Sequence, residues 1–172
     1  GWIATTCISV APDGEPADGA SGVPTISDDG RFVAFASAAS NLTPDPVDPN
    51  SSGGVFLHDR CLADGVSVDG CTPTTKRVGP YNWVNPALAG DGSVLLYGDG
   101  CEFFNCDLFV LHLKDPARGT VEQLTSSETS SWKVWTGALG PFLSADGRVV
   151  AFDTWETDEW NWTRITLLAL SL

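Results

Sequence analysis

Apolar residues in this chain come in short runs. Three of the runs are interrupted in the same way by an Asp-Gly pair. The first copy reads Pro24-Thr25-Ile26-Ser27-Asp28-Asp29-Gly30-Arg31-Phe32-Val33-Ala34-Phe35. The second reads Pro86-Ala87-Leu88-Ala89-Gly90-Asp91-Gly92-Ser93-Val94-Leu95-Leu96-Tyr97, and the third Pro141-Phe142-Leu143-Ser144-Ala145-Asp146-Gly147-Arg148-Val149-Val150-Ala151-Phe152. Asp-Gly supplies the positive φ angles of a two-residue turn, so each copy predicts a β-hairpin. A third apolar run follows each copy, at 55–57, 108–111 and 165–168. A fourth follows the first two, at 74–78 and 120–124. Four antiparallel strands per unit, repeated, predict the blades of a β-propeller.

The pattern Pro-x-x-Ser-x-Asp-Gly-Arg-x-Val-Ala-Phe resembles the WD40-like propeller repeat of the TolB type, found in many bacterial extracytoplasmic proteins. So do Val55-Phe56-Leu57-His58-Asp59-Arg60 and Thr74-Thr75-Lys76-Arg77-Val78 downstream of it. The match is close at Pro24, Ser27, Asp29, Gly30 and Phe35, and at Pro141, Ser144, Asp146, Gly147 and Phe152. The second copy departs from it, with Ala89 for the serine and Tyr97 for the last phenylalanine. The resemblance implies an all-β, propeller-type domain over residues 1–172 with three four-stranded antiparallel blades. Blade one spans about 23–78, blade two about 84–125, and blade three about 139–171 plus strand 4–10. Such propellers host binding, scaffolding and enzyme-associated roles.

The third blade has no fourth run, whereas Thr5, Thr6, Cys7, Ile8, Ser9 and Val10 carry the fourth-strand pattern with no blade before them. The N-terminal strand is therefore expected to complete a C-terminal blade, its own or that of a neighbouring copy. Propellers have about 4–8 blades, so three leave raw edges that template another chain. Three outcomes stay open: a two-copy ring, a head-to-tail filament, or part of a larger propeller.

Propeller geometry assembles Trp83, Trp132, Trp135, Trp155 and Trp160 near one face, with Asp158 and Glu159 beside the last two. Tryptophan stacks on sugars and carboxylates accept sugar hydroxyls; tryptophan also packs blades and anchors interfaces. Glu156 and Glu159 can be pictured as a glycosidase pair, but nothing in sequence sets their separation. In relatives of the repeat, Asp-x-Asn-Gly followed by an Asp looks like a calcium cage. Here Asp48 and Asn50 keep two donors, while Ser51 and Gly54 break the pattern. Asn41, Asn50 and Asn161 open N-glycosylation sequons.

Five cysteines suggest an oxidising compartment. On the propeller reading, Cys61–Cys71 and Cys101–Cys106 each close one loop neck, worth roughly 2–3 kcal/mol apiece. Cys7 is left over, as a buried thiol or an intermolecular bridge. His58 and His112 read as structural residues in or beside third strands, and a zinc site finds no familiar spacing.

Hydrophobic content of 42% supports a core, and no apolar run approaches the ~18 residues of a membrane span. The chain begins at Gly1 with no initiator Met and no signal-peptide pattern, as a mature or trimmed product would. A net charge of −13 disfavours nucleic acid and anionic membranes. No G-x-S-x-G elbow, P-loop or dinucleotide fingerprint is present. The resulting expectation is a non-enzymatic module, extracellular, periplasmic or on the cell surface. It binds or assembles, with other copies of itself or a larger propeller as partners, through exchange of the N-terminal strand. It needs no cofactor, calcium being the exception to watch. Glycan or peptide recognition on the tryptophan face is the alternative, and the propeller part of a hydrolase a third.

Overall fold

The computed structural model describes residues 5–44, 53–80, 85–102, 105–113, 121–124, 132–135, 141–158 and 161–171. For 100–102, 105–106, 132–135, 153–158 and 161–171 it describes the backbone alone. Every regular element among these residues is a β-strand, and all the pairings are antiparallel. Among the described residues no helix is long and apolar enough to cross a membrane.

The three Asp-Gly copies form three hairpins in identical register. Strand β1 (Ser21–Ile26) pairs with β2 (Phe32–Ser37) so that Ile26 faces Val33. Numbering the strands in chain order, β7 (Ala87–Leu88) pairs with β8 (Val94–Glu102) so that Leu88 faces Leu95. Likewise β12 (Phe142–Leu143) pairs with β13 (Val149–Asp158), with Leu143 opposite Val150.

The turns are longer than the two-residue form expected from Asp-Gly. The Ser27 N–H donates to the Phe32 carbonyl at 3.0 Å and the Gly30 N–H to the Ser27 carbonyl at 2.8 Å, which leaves four residues between the paired ends. Only the glycine takes a positive φ, 70° at Gly30, 68° at Gly92 and 67° at Gly147. The aspartate before it acts as a brace: Asp29 Oδ1 accepts from Ser27 Oγ at 2.6 Å and from the Arg31 N–H at 3.0 Å. Ser144, Asp146 and Arg148 repeat the arrangement, and hydrogen bonding by Ser144 holds the Asp146 carboxyl below its ordinary value. With Ala89 in the serine place, the middle turn keeps the Ser93 N–H to Asp91 bond at 2.8 Å.

The first hairpin grows into a four-stranded sheet, β1-β2-β3-β6, with β3 (Gly54–Asp59) and β6 (Thr74–Pro80). Between these two strands lies a small hairpin, β4 (Leu62–Ala63) with β5 (Val66–Ser67), clasped by the Cys61–Cys71 disulfide. The other hairpins join in one eight-stranded sheet. Here β8 pairs with β9 (Asn105–His112), β9 with β10 (Val121–Gln123), and β13 with β14 (Asn161–Ser171). Strand β11 (Trp132–Trp135) bridges the two groups, pairing with β9 at Val134–Cys106 and with β13 at Trp132–Glu156. It lies outside the repeated runs that predict strands. Its aromatic and β-branched residues suit a strand.

Side chains alternate across a strand, and in β2, β3 and the first half of β8 both faces are buried. Ala34 and Leu57, with Phe32 and Val78, pack on Leu88 and Leu95 of the second hairpin and on Leu111 of the adjoining strand at 105–112. The opposite face of those strands, with Val94, Leu96, Leu108 and Val110, packs on Val150, Phe152 and Leu143 of the third. The turns touch as well. The Asp28 N–H donates to the Gly90 carbonyl at 2.7 Å, and the Asp91 N–H to the Ala145 carbonyl at 2.8 Å. A Cβ on Gly147 would lie 2.7 Å from Ser93 Oγ and 3.1 Å from Val94 Cγ2, so glycine serves both the turn and the close approach.

At the base of β3, Arg31 and Asp59 form a two-pronged ion pair, Nε to Oδ1 at 3.0 Å and Nη2 to Oδ2 at 2.9 Å. Asp59 Oδ1 also accepts the Cys61 N–H at 2.9 Å, which ties the pair to the disulfide loop. The Arg31 bonds, joined by the Cys61 N–H, hold the Asp59 carboxyl below its ordinary value against the cost of partial burial. A depressed acid stabilises fully above its unfolded pKa, and the gain fades as pH falls through the folded value. Asp59→Asn should therefore cost about 1 kcal/mol at neutral pH, a figure discounted for solvent exposure. Below about pH 4 the gap should close. Denaturant unfolding of both proteins across pH measures this; a constant gap would contradict it.

Candidate binding surfaces

The ends of the stack differ from its middle. At the first end, the outer face of β2 and β3 carries Val33, Phe35 and Phe56, and Phe35 stacks on Phe56 with ring centroids 5.7 Å apart. This face is covered by Ala39 and Leu42 and by an N-terminal strap, residues 5–20, whose Ile8 and Ala17 pack on it. Polar clips hold the strap. Asn41 Nδ2 donates to the Pro16 carbonyl at 3.0 Å, and Asn41 Oδ1 accepts the Asp18 N–H at 3.0 Å. The Asp18 carboxylate accepts the Ser40 N–H and the Ser40 hydroxyl, which keep its pKa below the usual value.

The strap covers the face only in part. One groove of about 220 Å³ opens between Ile8, Ser9, Pro24, Val33 and Phe35. A second, of about 670 Å³, lies between Val10–Pro12, Leu42, His58 and Thr74–Arg77. In it His58 Nδ1 lies 2.9 Å from Thr75 Oγ1, and burial pushes the imidazole pKa down. Ile26, on the same side as Val33, is 54% exposed. Nearby, Val23 has a φ of 46° at the bulge in β1, a strained setting for a β-branched residue.

At the other end, β14 pairs with β13 over its whole length and, among the described residues, with nothing on its far edge. The outward face of the β12–β13 hairpin carries Phe142 at 58% and Val149 at 40% exposure.

The N-terminal run departs from expectation within this chain. Residues 5–9 carry no ladder, and Val10 makes an isolated bridge to Pro16. Thr5, Thr6, Cys7, Ile8, Ser9 and Val10 thus do not complete the chain's own last sheet. Ile8 instead finds apolar cover on the first sheet, where an open face is close in sequence. Cys7, read as a buried thiol or an intermolecular bridge, is an exposed free thiol, its Sγ 3.8 Å from Ser9 Oγ.

The tryptophans sit differently as well. Trp132 and Trp135 lie on β11, and Trp155 and Asp158 on β13, so these positions belong to a ladder and not to loops. Register pairs Trp132 with Glu156 and Lys133 with Trp155, which puts the two tryptophan positions on adjacent, oppositely facing rungs. Asp158 pairs with Asn161 at the tip of the β13–β14 hairpin. Trp83, Trp160, Glu159, Asp48 and Asn50 lie outside the described residues, as do the side chains of Cys101, Cys106 and Asn161. The backbone nevertheless places Cys101 on β8 and Cys106 on the facing strand β9. The Asn41 amide is engaged in the strap clips. His112 Nε2 lies 3.6 Å from Glu122 on β10. Sequence reasoning missed Phe142, Val149 and Ile26, although their places in the repeat mark them as end positions.

The environment of Cys7 has a direct readout. Under native, non-reducing conditions Cys7 should take up a thiol reagent at once, while Cys61 and Cys71 should react only after reduction. Peptide mapping of the labelled protein checks this; a native Cys7 that resists labelling would contradict the exposed strap.

No protein-family model matches the chain, and no curated protein matches it. Among solved structures it is similar to TolB from Acinetobacter baumannii, at 15% identity and a TM-score of 0.45, over 86% of this chain and 32% of that one. A chain from a study of two prolyl endopeptidases aligns at 15% identity and 0.41, over 86% of this chain and 22% of that one. A putative TolB from Agrobacterium tumefaciens aligns at 18% identity and 0.36, over 86% and 62%. The chain thus spans about a third of the Acinetobacter protein and less than two thirds of the other two.

Proposed function

We propose that this chain is a three-bladed arc of a β-propeller, a non-enzymatic extracytoplasmic module that binds or assembles through its open end. The observation that carries the reading is β14, an 11-residue strand partnered on one side only among the described residues. A bare edge of that length is a row of unpaired N–H and C=O groups, and another strand satisfies it best. The segment at 5–10 of a second copy is the candidate filler. It has the fourth-strand pattern, and in its own chain only Ile8 of that run packs on the core. The Cys61–Cys71 disulfide supports an oxidising compartment. The non-enzymatic reading is supported by where the titratable groups go: Asp59 braces Arg31, and His58 faces Thr75. Calcium at Asp48 and Asn50, and glycans at Asn50 and Asn161, remain outside this reading.

A second reading, glycan or peptide recognition, takes β11 and β13 as its strands: Trp135 lies two positions from Lys133, the rung partner of Trp155. The two readings separate in one comparison. If strand exchange operates, the native mass is a multiple of the chain mass, and deletion of residues 1–12 reduces it to the monomer. An unchanged mass would sink exchange. Binding to a glycan array that disappears in Trp155→Ala, with the mass unaffected, would put the second reading in its place.

A further inference from the structure

We propose that the outward face of the third hairpin docks on the outward face of the first hairpin in a second copy of this chain, head to tail. The inference rests on the assembly reading above and adds a surface to it.

The repeat itself makes the case. Thr25, Phe32 and Ala34 in the first hairpin correspond to Ala87, Val94 and Leu96 in the second and to Phe142, Val149 and Ala151 in the third. Register confirms the correspondence, since Thr25 pairs with Ala34, Ala87 with Leu96, and Phe142 with Ala151. These positions form the leading face of each unit. Ile26 and Val33, Leu88 and Leu95, Leu143 and Val150 form the trailing face.

Both internal joints follow one rule, a leading face packed on the next trailing face. Phe32 and Ala34 meet Leu88 and Leu95, and Val94 and Leu96 meet Leu143 and Val150. A third joint of the same kind has both halves present, each with exposed apolar residues. Its leading half is Phe142 and Val149, 58% and 40% exposed, although Val94 in the same place is buried. Its trailing half is Ile26, 54% exposed, although Leu88 in the same place is buried.

The turns continue the series. Asp28 and Asp91 each give a backbone N–H to the next turn. Across the new joint, the third turn of one copy would give an N–H to the first turn of the other. In the single chain Val33 and Phe35 are covered by Ala39, Leu42 and the strap, and grooves open beside that cover. Docking passes the cover of Val33 and Phe35 from Ile8 to Phe142 and Val149, and frees 5–10 for the edge of β14. The joint is heterologous, with different patches on the two partners.

Two variants test it, one at each half. Phe142→Asp and Ile26→Asp alter exposed residues, so each should keep the fold, checked by circular dichroism and melting. Each alone should sediment as a monomer. Mixed, they should form a one-to-one dimer and nothing larger, because one intact leading face and one intact trailing face remain. Deletion of 1–12 separates this surface from strand exchange: association that persists in the deletion and vanishes in Phe142→Asp supports the face and removes the exchange. Folded single variants that keep the wild-type mass would overturn the face and leave the strand reading standing. A wild type that is monomeric throughout would overturn both.

Discussion

A sheet that is apolar on both faces has to be covered on both faces, and the rest of this structure follows from that requirement. In β2, Val33, Ala34, Phe35 and Ala36 are all buried, so consecutive side chains on opposite sides are withdrawn from water. Leu95 and Leu96 repeat this in β8. Full burial of each large aliphatic or aromatic side chain contributes about 1.5–3 kcal/mol. A lone hairpin of this composition would leave half of that gain unrealised. Stacking hairpin on hairpin recovers it, and identical register lets one packing rule serve at each joint. Glycine at the turns permits the approach, and the backbone bonds from Asp28 to Gly90 and from Asp91 to Ala145 set the turns beside one another.

The same requirement explains the ends. The first sheet has no preceding hairpin among the described residues, and residues 5–20 lie across it instead. That cover is held by a few apolar contacts and by the Asn41 and Asp18 clips, which are exposed hydrogen bonds of modest net value. The first sheet is more strongly anchored at its other side. There Arg31, Asp59 and the Cys61–Cys71 loop join β2, β3 and the β4–β5 hairpin in one polar network. One region is thus built to stay, and the strap beside it rests on weaker ties.

Much of this was legible in the order of residues, because hairpins are local. Asp-Gly between apolar runs marked all three turns, and the runs at 55–57 and 74–78 became β3 and β6. The ten-residue spacing of Cys61 and Cys71 across a loop neck did become a disulfide. What failed was partly local and partly non-local. The turn type went astray because the aspartate side chain, accepting the backbone N–H two residues on in all three turns, braces a longer loop. The acidic stretch 153–158 lay outside the runs that predicted strands, yet Trp155-Glu156-Thr157-Asp158 alternates like a strand and continues β13. Strand β11 was invisible because its partners, Cys106 and Glu156, are brought together only by stacking. The N-terminal run matched a fourth strand in pattern, but pattern does not say which edge or face lies within reach.

The central claim is that the hairpins stack face to face in one repeated register. Hydrogen exchange at two amides tests it most directly. Asp28 and Asp91 sit in turns, where an amide facing solvent exchanges freely, but here each donates to the neighbouring turn. Both amides should be protected to the same degree as the ladder amides of β2 and β8. Exchange of Asp28 and Asp91 at the rate of open loops, with the hairpin ladders still protected, would mean that the hairpins form without stacking, and the account would fail.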